Sequence, residues 1–134
     1  MIQREEVSLQ EYRDLMAHAF GKNEQSLPGT VFFLYEDGIK KAFCSTYIHN
    51  AGTMYLQHIG MVEGKGTYKV FSEFVDFLAT FQFPCLMGAI ETENKVALMW
   101  ALRNGFKIIG TRMASDKTLY VEVLKAYSEV NQHG

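Results

Sequence analysis

Cysteine and proline are scarce in this sequence, with 2 residues of each among 134. Two cysteines are too few for a disulfide framework. Cys44 and Cys85 lie in stretches that are typical of strands, so buried, reduced thiols are expected, which favours a cytoplasmic protein. A Cys-x-x-Cys pair is absent from the sequence. Neither a thiol nor a carboxylate joins His49 and His58 at ligand spacing, so no metal site is predicted.

The sequence also lacks an excess of charge of one sign and a long apolar run. Its 13 basic residues are nearly balanced by 15 acidic ones, and the net charge is -2. Because nucleic-acid and membrane-surface partners usually require a basic excess, neither partner is expected. The most apolar stretch, residues 70–86, is interrupted by polar side chains and is unable to span a bilayer. The N-terminus lacks the layout of a signal peptide.

The composition that is present is ordinary for a globular protein, with 48% apolar and 21% charged residues. A chain of this length can bury the core of one domain but leaves no room for a second. Repeats, low-complexity segments and linker-like shifts in composition are absent from the sequence. We therefore expect residues 1–134 to form a single domain.

Hydrophobic periodicity and turn signals predict an ordered series of strands and helices. In chain order these are a strand over 1–7, a helix over 8–21, a loop over 21–29, strands over 30–36, 39–49 and 53–62, a helix over 66–81, a strand over 85–90, a helix over 93–104, and strands over 106–113 and 118–125.

Capping signals define the ends of two of these helices. Ser8 opens the first helix, and Glu11 three positions later completes a capping box. Gly21 is expected to end that helix. Thr92 is placed to cap the third helix, and Gly105 is positioned as the left-handed residue that ends it.

The order of elements, β-α-β-β-β-α-β-α-β-β, predicts a mixed α/β (α+β) fold. Its sheet should contain about seven strands, most of them antiparallel, with helices on both faces. The second helix connects the fourth and fifth strands, so these two strands are expected to be parallel neighbours.

A glycine-containing turn, Val62-Glu63-Gly64-Lys65-Gly66-Thr67, connects the fourth strand to the second helix. Glycine lets a ligand approach the backbone closely, and the N–H groups and dipole of the first helical turn favour an anion. Lysines at positions 65 and 69 add positive charge. The turn is therefore a candidate anion site, although glycines between a strand and a helix also occur simply as turn residues.

The segment from Asn94 to Arg112 resembles the GNAT superfamily of acyl-CoA-dependent N-acyltransferases. The last helix of that family typically reads N-x-x-A-x-x-L-Y-x-K-x-G-F and runs into a strand of the type x-x-x-G-x-R. The positions that match in register are Asn94, Ala97, Arg103 (for lysine), Gly105, Phe106, Gly110 and Arg112. The predicted order of elements also resembles that of the superfamily over essentially the whole chain.

The resemblance implies that acetyl-CoA is the co-substrate and that no metal takes part. In such enzymes the glycine turn holds the cofactor pyrophosphate, and the splayed fourth and fifth strands admit the pantetheine arm. The residues implied to contact the cofactor are Met61 and Val62 for the pantetheine and acyl group, Gly64, Lys65, Gly66 and Thr67 for the pyrophosphate, and Asn94 for the cofactor arm.

The sequence departs from the family pattern at several positions. The family turn reads Q/R-x-x-G-x-G/A, but this chain has Glu63 at the first position and Tyr68 at the last. The tyrosine usually proposed as general acid aligns with Ala101, and the neighbouring Trp100 is expected to belong to the core. His58, on the fourth strand, is the candidate catalytic residue because related enzymes often have a base or water relay there; a structural histidine is the alternative.

Two functions follow from the resemblance. The first is an N-acetyltransferase that transfers an acetyl group from acetyl-CoA to an amine by direct attack. The second is a catalytically inactive GNAT-like binding or structural protein, of the kind found in tailed phages. The resemblance also implies an amine-bearing acceptor and a homodimer, which is common in the family.

Overall fold

The computed structural model describes residues 1–21 and 28–127. Its elements follow the predicted order, with their ends shifted by a few residues at most positions. They are β1 (Ile2–Glu5), α1 (Leu9–Phe20), β2 (Thr30–Glu36), β3 (Ile39–Asn50), β4 (Thr53–Met61), α2 (Tyr68–Ala79), β5 (Cys85–Glu91), α3 (Lys95–Arg103), β6 (Lys107–Met113) and β7 (Leu119–Ala126). The loop predicted over 21–29 lies largely outside the described residues.

The seven strands form one sheet in the order β1-β2-β3-β4-β5-β7-β6. Strand β2 pairs in the antiparallel sense with both β1 and β3, and β7 does so with both β5 and β6. Strands β4 and β5 are parallel. The predicted mixed, mostly antiparallel sheet is confirmed, and so is the parallel pair that the intervening helix α2 requires.

The described chain divides into two compact units. The first unit comprises Met1–Tyr47 and Gln57–Phe77, and it therefore contains the end of β4 and the glycine turn. The second unit comprises Ile48–Leu56 and the chain from Leu78 onwards, which includes β5, α3, β6 and β7. That residues 1–134 form a single domain stays a prediction.

Helix α1 has the predicted capping box. The backbone N–H of Glu11 donates to Ser8 Oγ at 3.1 Å, and the Ser8 N–H donates to Glu11 Oε1 at 3.2 Å. The helix ends at Gly21, which has a φ of 71°. One face of α1 is buried in the core of the first unit. The buried side chains of this core are Tyr12, Met16, Val31, Phe33 and Phe43.

Gly60 on β4 is required by the packing in this core. A Cβ atom at this position would lie 2.7 Å from the Phe43 ring and 2.9 Å from Ala19 Cβ. Because real Cβ atoms do not approach other atoms this closely, a larger residue would push α1 away from the sheet. The close packing of α1 against the end of β4 brings His58 next to the helix.

The predicted N-cap of α3 is wrong by two residues. Asn94, rather than Thr92, caps the helix, and its Oδ1 accepts from the Ala97 N–H at 3.1 Å. The Thr92 N–H instead donates to the Leu119 carbonyl of β7 at 3.0 Å, which holds Thr92 in the turn that follows β5. The helix consequently begins later than predicted, at Lys95. Gly105 has a φ of 97°, as its expected left-handed conformation requires.

Both cysteines are free thiols, Cys44 fully buried and Cys85 half-buried. Burial raises the pKa of the Cys44 thiol far above its ordinary value, so this thiol is unreactive. Among the described residues, no helix has the length and apolar character needed to cross a membrane.

Candidate functional site

The glycine turn begins where strand β4 ends. Strand β4 ends at Met61, and the Val62 N–H donates to the Lys41 carbonyl on β3 at 2.8 Å. Gly64 follows with a φ of 75°, a conformation that favours glycine, and the space where its Cβ would stand is open. Residues 63–67 are all exposed. A ligand can therefore approach the turn backbone directly.

Thr67 caps helix α2 at the end of this turn. Its Oγ1 accepts from the Val70 N–H at 3.2 Å, and its carbonyl accepts from the Phe71 N–H at 3.2 Å. The Thr67 hydroxyl retains its own hydrogen for donation to a ligand. The capped N-terminus of α2, with the positive end of its dipole, therefore lies at an exposed surface.

The carboxylate of Glu63, which departs from the family pattern, forms an ion pair with Lys41. Lys41 Nζ on β3 donates to Glu63 Oε1 at 2.8 Å. This hydrogen bond, together with the charge of Lys41, lowers the pKa of the Glu63 carboxyl and raises the pKa of Lys41. The misfit residue therefore forms an exposed ion pair. No sequence signal links position 41 to position 63, so sequence reasoning misses Lys41.

The second misfit, Tyr68, is the first residue of α2. Its ring stacks on Phe71, with 6.3 Å between ring centroids and 27° between ring planes. Lys69, at the next position, is exposed, and its Nζ lies 3.9 Å from Glu73 Oε1. The start of α2 thus presents an aromatic ring and a lysine beside the turn.

His58 contacts a buried hydroxyl that sequence reasoning misses. Its Nδ1 lies 2.6 Å from the Tyr12 hydroxyl of α1, which in turn lies 2.6 Å from Ser45 Oγ of β3. Tyr12 and Ser45 are fully buried, whereas His58 is half-buried. The ring of Phe20 lies 5.9 Å from the imidazole. Helical periodicity places Tyr12 on the apolar face of α1, and its hydroxyl gives no separate signal.

The ladder between β4 and β5 is short. Residues 53–56 of β4 pair with residues 85–88 of β5, and the last pair is Leu56 with Gly88. Strand β4 nevertheless continues to Met61 and β5 to Glu91. His58 and Met61 therefore follow the end of the parallel ladder.

The other predicted site residue, Asn94, lies in the second unit. Its Oδ1 is engaged as the cap of α3. Ala101, which aligns with the family tyrosine, is buried with 1% exposure, and Trp100 is half-buried. Within the described ranges, no three His, Cys, Asp or Glu side chains lie close enough together to bind a metal.

Neither a model of a known protein family nor a curated protein matches the sequence. Solved structures match the fold closely. A GNAT family acetyltransferase from Elizabethkingia anophelis, with acetyl-CoA bound, is similar with a TM-score of 0.77 and 14% identity, over 95% of this chain and 97% of that one. A Bacillus subtilis acetyltransferase in complex with CoA has a TM-score of 0.73 and 12% identity, over 94% and 97%.

The ribosomal-protein-S18-alanine N-acetyltransferase of Escherichia coli is a further neighbour. It has a TM-score of 0.70 and 14% identity, over 94% of each chain. These identities are low, but the similarity covers nearly the full length of both chains in each pair. Together with the mixed seven-stranded sheet and its parallel β4–β5 pair, they show that the chain has the GNAT fold.

Proposed function

We propose that the chain is an N-acetyltransferase that transfers the acetyl group of acetyl-CoA to an amine by direct attack. The observation that carries this proposal is the exposed glycine turn between β4 and the capped N-terminus of α2. The GNAT fold supports it, because neighbours with this fold bind acetyl-CoA or CoA. The predicted site residues and their roles belong to this proposal.

The turn fits a pyrophosphate group in three respects. Its residues are exposed, and a phosphate can approach Gly64 because nothing fills the space beside its Cα atom. The N–H groups and dipole of the first turn of α2 favour an anion, and the Thr67 hydroxyl can donate to a phosphate oxygen. The ion pair between Lys41 and Glu63 offsets the carboxylate that would otherwise repel the ligand. Lys65 and Gly66 complete the proposed contacts.

The remaining cofactor contacts are proposed for the pantetheine arm and acyl group. Met61 and Val62 are half-buried at the end of β4, after the parallel ladder has ended, and offer apolar contact. Asn94 uses its Oδ1 as a cap, so the group it offers to the cofactor arm is its side-chain NH₂.

The chemistry needs little more than positioning. The neutral amine attacks the thioester carbonyl carbon, a C–N bond forms, the C–S bond breaks and CoA leaves as the thiolate. The amide product releases its extra proton to water or to a nearby base. Donors directed at the carbonyl oxygen stabilise the charge that develops on it, and orientation of the two reactants supplies much of the acceleration. His58 is the proposed catalytic residue.

The second candidate is a catalytically inactive GNAT-like binding or structural protein. The observation that favours it is the buried Ala101 at the position of the family tyrosine, which leaves no phenol there to protonate the departing thiolate. Acyl transfer to an amine can also proceed with a proton from solvent, so the two candidates are distinguished by experiment.

Two measurements on the full chain separate these candidates. Acetyl-CoA binding should raise the Tm in a thermal-shift assay, because a ligand that binds only the folded state stabilises it. Release of the free CoA thiol should then be followed with a panel of polyamines, aminoglycosides and peptides. Thiol release that depends on an amine supports the enzyme. Binding without any amine-dependent release supports the inactive protein, and the absence of binding contradicts the proposed cofactor site.

A further inference from the structure

The first unit contains a short row of polar groups between α1, β3 and β4. Ser45 Oγ, the Tyr12 hydroxyl and His58 Nδ1 follow one another at 2.6 Å per step. The Tyr12 ring is held edge-on to Phe43, with 6.3 Å between centroids and 78° between planes. The two hydroxyls are inaccessible to solvent, whereas the imidazole is half-buried. The row therefore connects a sealed interior to a group near the surface.

The donors and acceptors in this row can be arranged in two directions. In one, Ser45 donates to Tyr12 and Tyr12 donates to His58 Nδ1. In the other, His58 Nδ1–H donates to Tyr12, Tyr12 donates to Ser45, and the Ser45 hydrogen needs a further acceptor. In the part of the chain that the structure describes, Tyr12 is the polar side-chain partner of Ser45, and the backbone at Ser45 is paired with Val31 in the sheet.

The first direction satisfies both buried hydroxyls within the row itself. Because an unused donor is costly in a buried position, this direction is the more stable one. It makes Nδ1 the acceptor, and the neutral imidazole then carries its hydrogen on Nε2. In this direction of the row, Nε2 is the nitrogen of His58 that can donate.

We propose that Tyr12, whose hydroxyl accepts from Ser45 and donates to His58 Nδ1, is a positioning residue that holds His58 as the neutral tautomer with its hydrogen on Nε2. His58 is then a hydrogen-bond donor at Nε2 and not a general base. Its use in acetyl transfer rests on the function proposed above: the Nε2–H stabilises the oxygen on which negative charge develops. A neutral imidazole suits that role because it donates without transferring its proton.

The tautomer can be measured directly on the ¹⁵N-labelled full chain by correlating the ring nitrogens of the 4 histidines with their carbon-bound hydrogens. The His58→Gln variant identifies the signals of His58. We expect a protonated, pyrrole-like Nε2 and an unprotonated Nδ1 at neutral pH. A protonated Nδ1 in the wild-type chain would overturn the proposal, whether or not any variant folds.

Three variants test the polarity of the row. In Tyr12→Phe the Nδ1 partner is lost, so the two tautomers should mix and the ring signals should average. In Ser45→Ala the Tyr12 hydroxyl still donates to Nδ1, so the pattern of the wild type should persist. Tyr35→Phe is the matched control, because it removes a phenol that donates to Glu5 elsewhere in the unit. An altered tautomer in Ser45→Ala would indicate the opposite polarity and refute the assignment.

Enzyme kinetics provide the second readout. Tyr12→Phe should lower kcat about two- to tenfold, as the population of the donating tautomer falls, with KM for acetyl-CoA unchanged. An unchanged kcat in a variant whose tautomers mix would contradict the catalytic use of the Nε2–H. If the tautomer is as expected and no acetyl transfer occurs with any amine, the proposed function fails while the assignment of the row stands.

Discussion

At the scale of single residues, Glu63 illustrates how a side chain that is wrong for an anion site becomes compatible with one. Its carboxylate lies 2.8 Å from Lys41 Nζ, and both groups are partly exposed to solvent. The charge beside the turn is therefore compensated locally, at the cost of sensitivity to salt. We therefore predict that removing the charge of Lys41 and removing the charge of Glu63 have opposite effects on the affinity for acetyl-CoA.

Lys41→Met should weaken acetyl-CoA binding, because Glu63 then stands uncompensated beside the proposed pyrophosphate site. Glu63→Gln should strengthen it, and the double variant should return close to the wild type. An exposed pair of this kind is expected to change the affinity by about two- to fivefold at low ionic strength. Isothermal titration at low salt measures the effect. If neither single variant differs from the wild type there, the cofactor phosphates do not lie near Glu63.

Glu5 provides a prediction about pH. The Tyr35 hydroxyl, which donates to Glu5, holds the pKa of that carboxyl below its ordinary value of 4.5, and Lys40 contributes in the same direction. The Glu5 carboxyl thus has a lower pKa in the folded state than in the unfolded state. The stabilisation that this hydrogen bond gives the folded state is fully present above the pKa of the unfolded state. It is lost as the pH falls through the pKa of the folded state.

Tyr35→Phe should therefore lower the free energy of unfolding near neutral pH more than at about pH 3. Urea unfolding of both proteins across this range measures the difference. Glu5→Gln is the matched control, because it removes the titrating group, and the effect of Tyr35→Phe in that background should not change with acidic pH. A constant difference between wild type and Tyr35→Phe would exclude the linkage.

The residue scale is also where the sequence is least informative. The ion pair of Lys41 with Glu63 and the contact of Tyr12 with His58 join residues that are distant in the chain and carry no shared pattern. Tyr12 occupies an apolar helix position, and periodicity reports only that its ring is buried. The direction of its hydroxyl depends on the packing of α1 against β3 and β4, including the close approach at Gly60.

At the scale of elements, caps and turns are predictable where the chemistry is local. Ser8 and Glu11 form their capping box because both hydrogen bonds lie within one helical turn. The predicted N-cap of α3 is wrong because Thr92 and Asn94 are both good caps by type. What separates them is the pairing of Thr92 with Leu119 of β7, which a local pattern does not contain.

The role of Asn94 can be resolved by two substitutions at the same position. Asn94→Ala removes the cap and should lower the free energy of unfolding by about 1 kcal/mol. Asn94→Ser retains a capping oxygen but removes the side-chain NH₂ that is proposed to contact the cofactor. We expect Asn94→Ser to keep nearly wild-type stability and to bind acetyl-CoA more weakly.

Urea unfolding and calorimetric titration of both Asn94 variants measure these effects. Full affinity for acetyl-CoA in Asn94→Ser would restrict Asn94 to capping α3 and would remove it from the proposed cofactor contacts. The substitution of a distant cap, Ser8→Ala, serves as a control. It should lower stability by a similar amount and leave the affinity unchanged.

At the scale of the whole molecule, the order of elements and the parallel pair are predictable because each follows from patterns within the chain. Periodicity separates strands from helices, and a helix between two adjacent strands makes them parallel. These patterns are enough to predict the fold. They predict the site only as a set of positions, since a matching motif identifies the turn but does not report the side chains that surround it.

Binding of acetyl-CoA at the glycine turn is tested by calorimetric titration of the wild-type chain together with Gly66→Glu. Gly52→Glu is the matched control, since it adds the same side chain to a glycine in another turn, where the nearest atom to a Cβ is 3.7 Å away. We expect saturable binding by the wild type and by Gly52→Glu, and loss of binding in Gly66→Glu. No binding by the wild type at millimolar acetyl-CoA, or full affinity in a folded Gly66→Glu variant, would contradict this expectation.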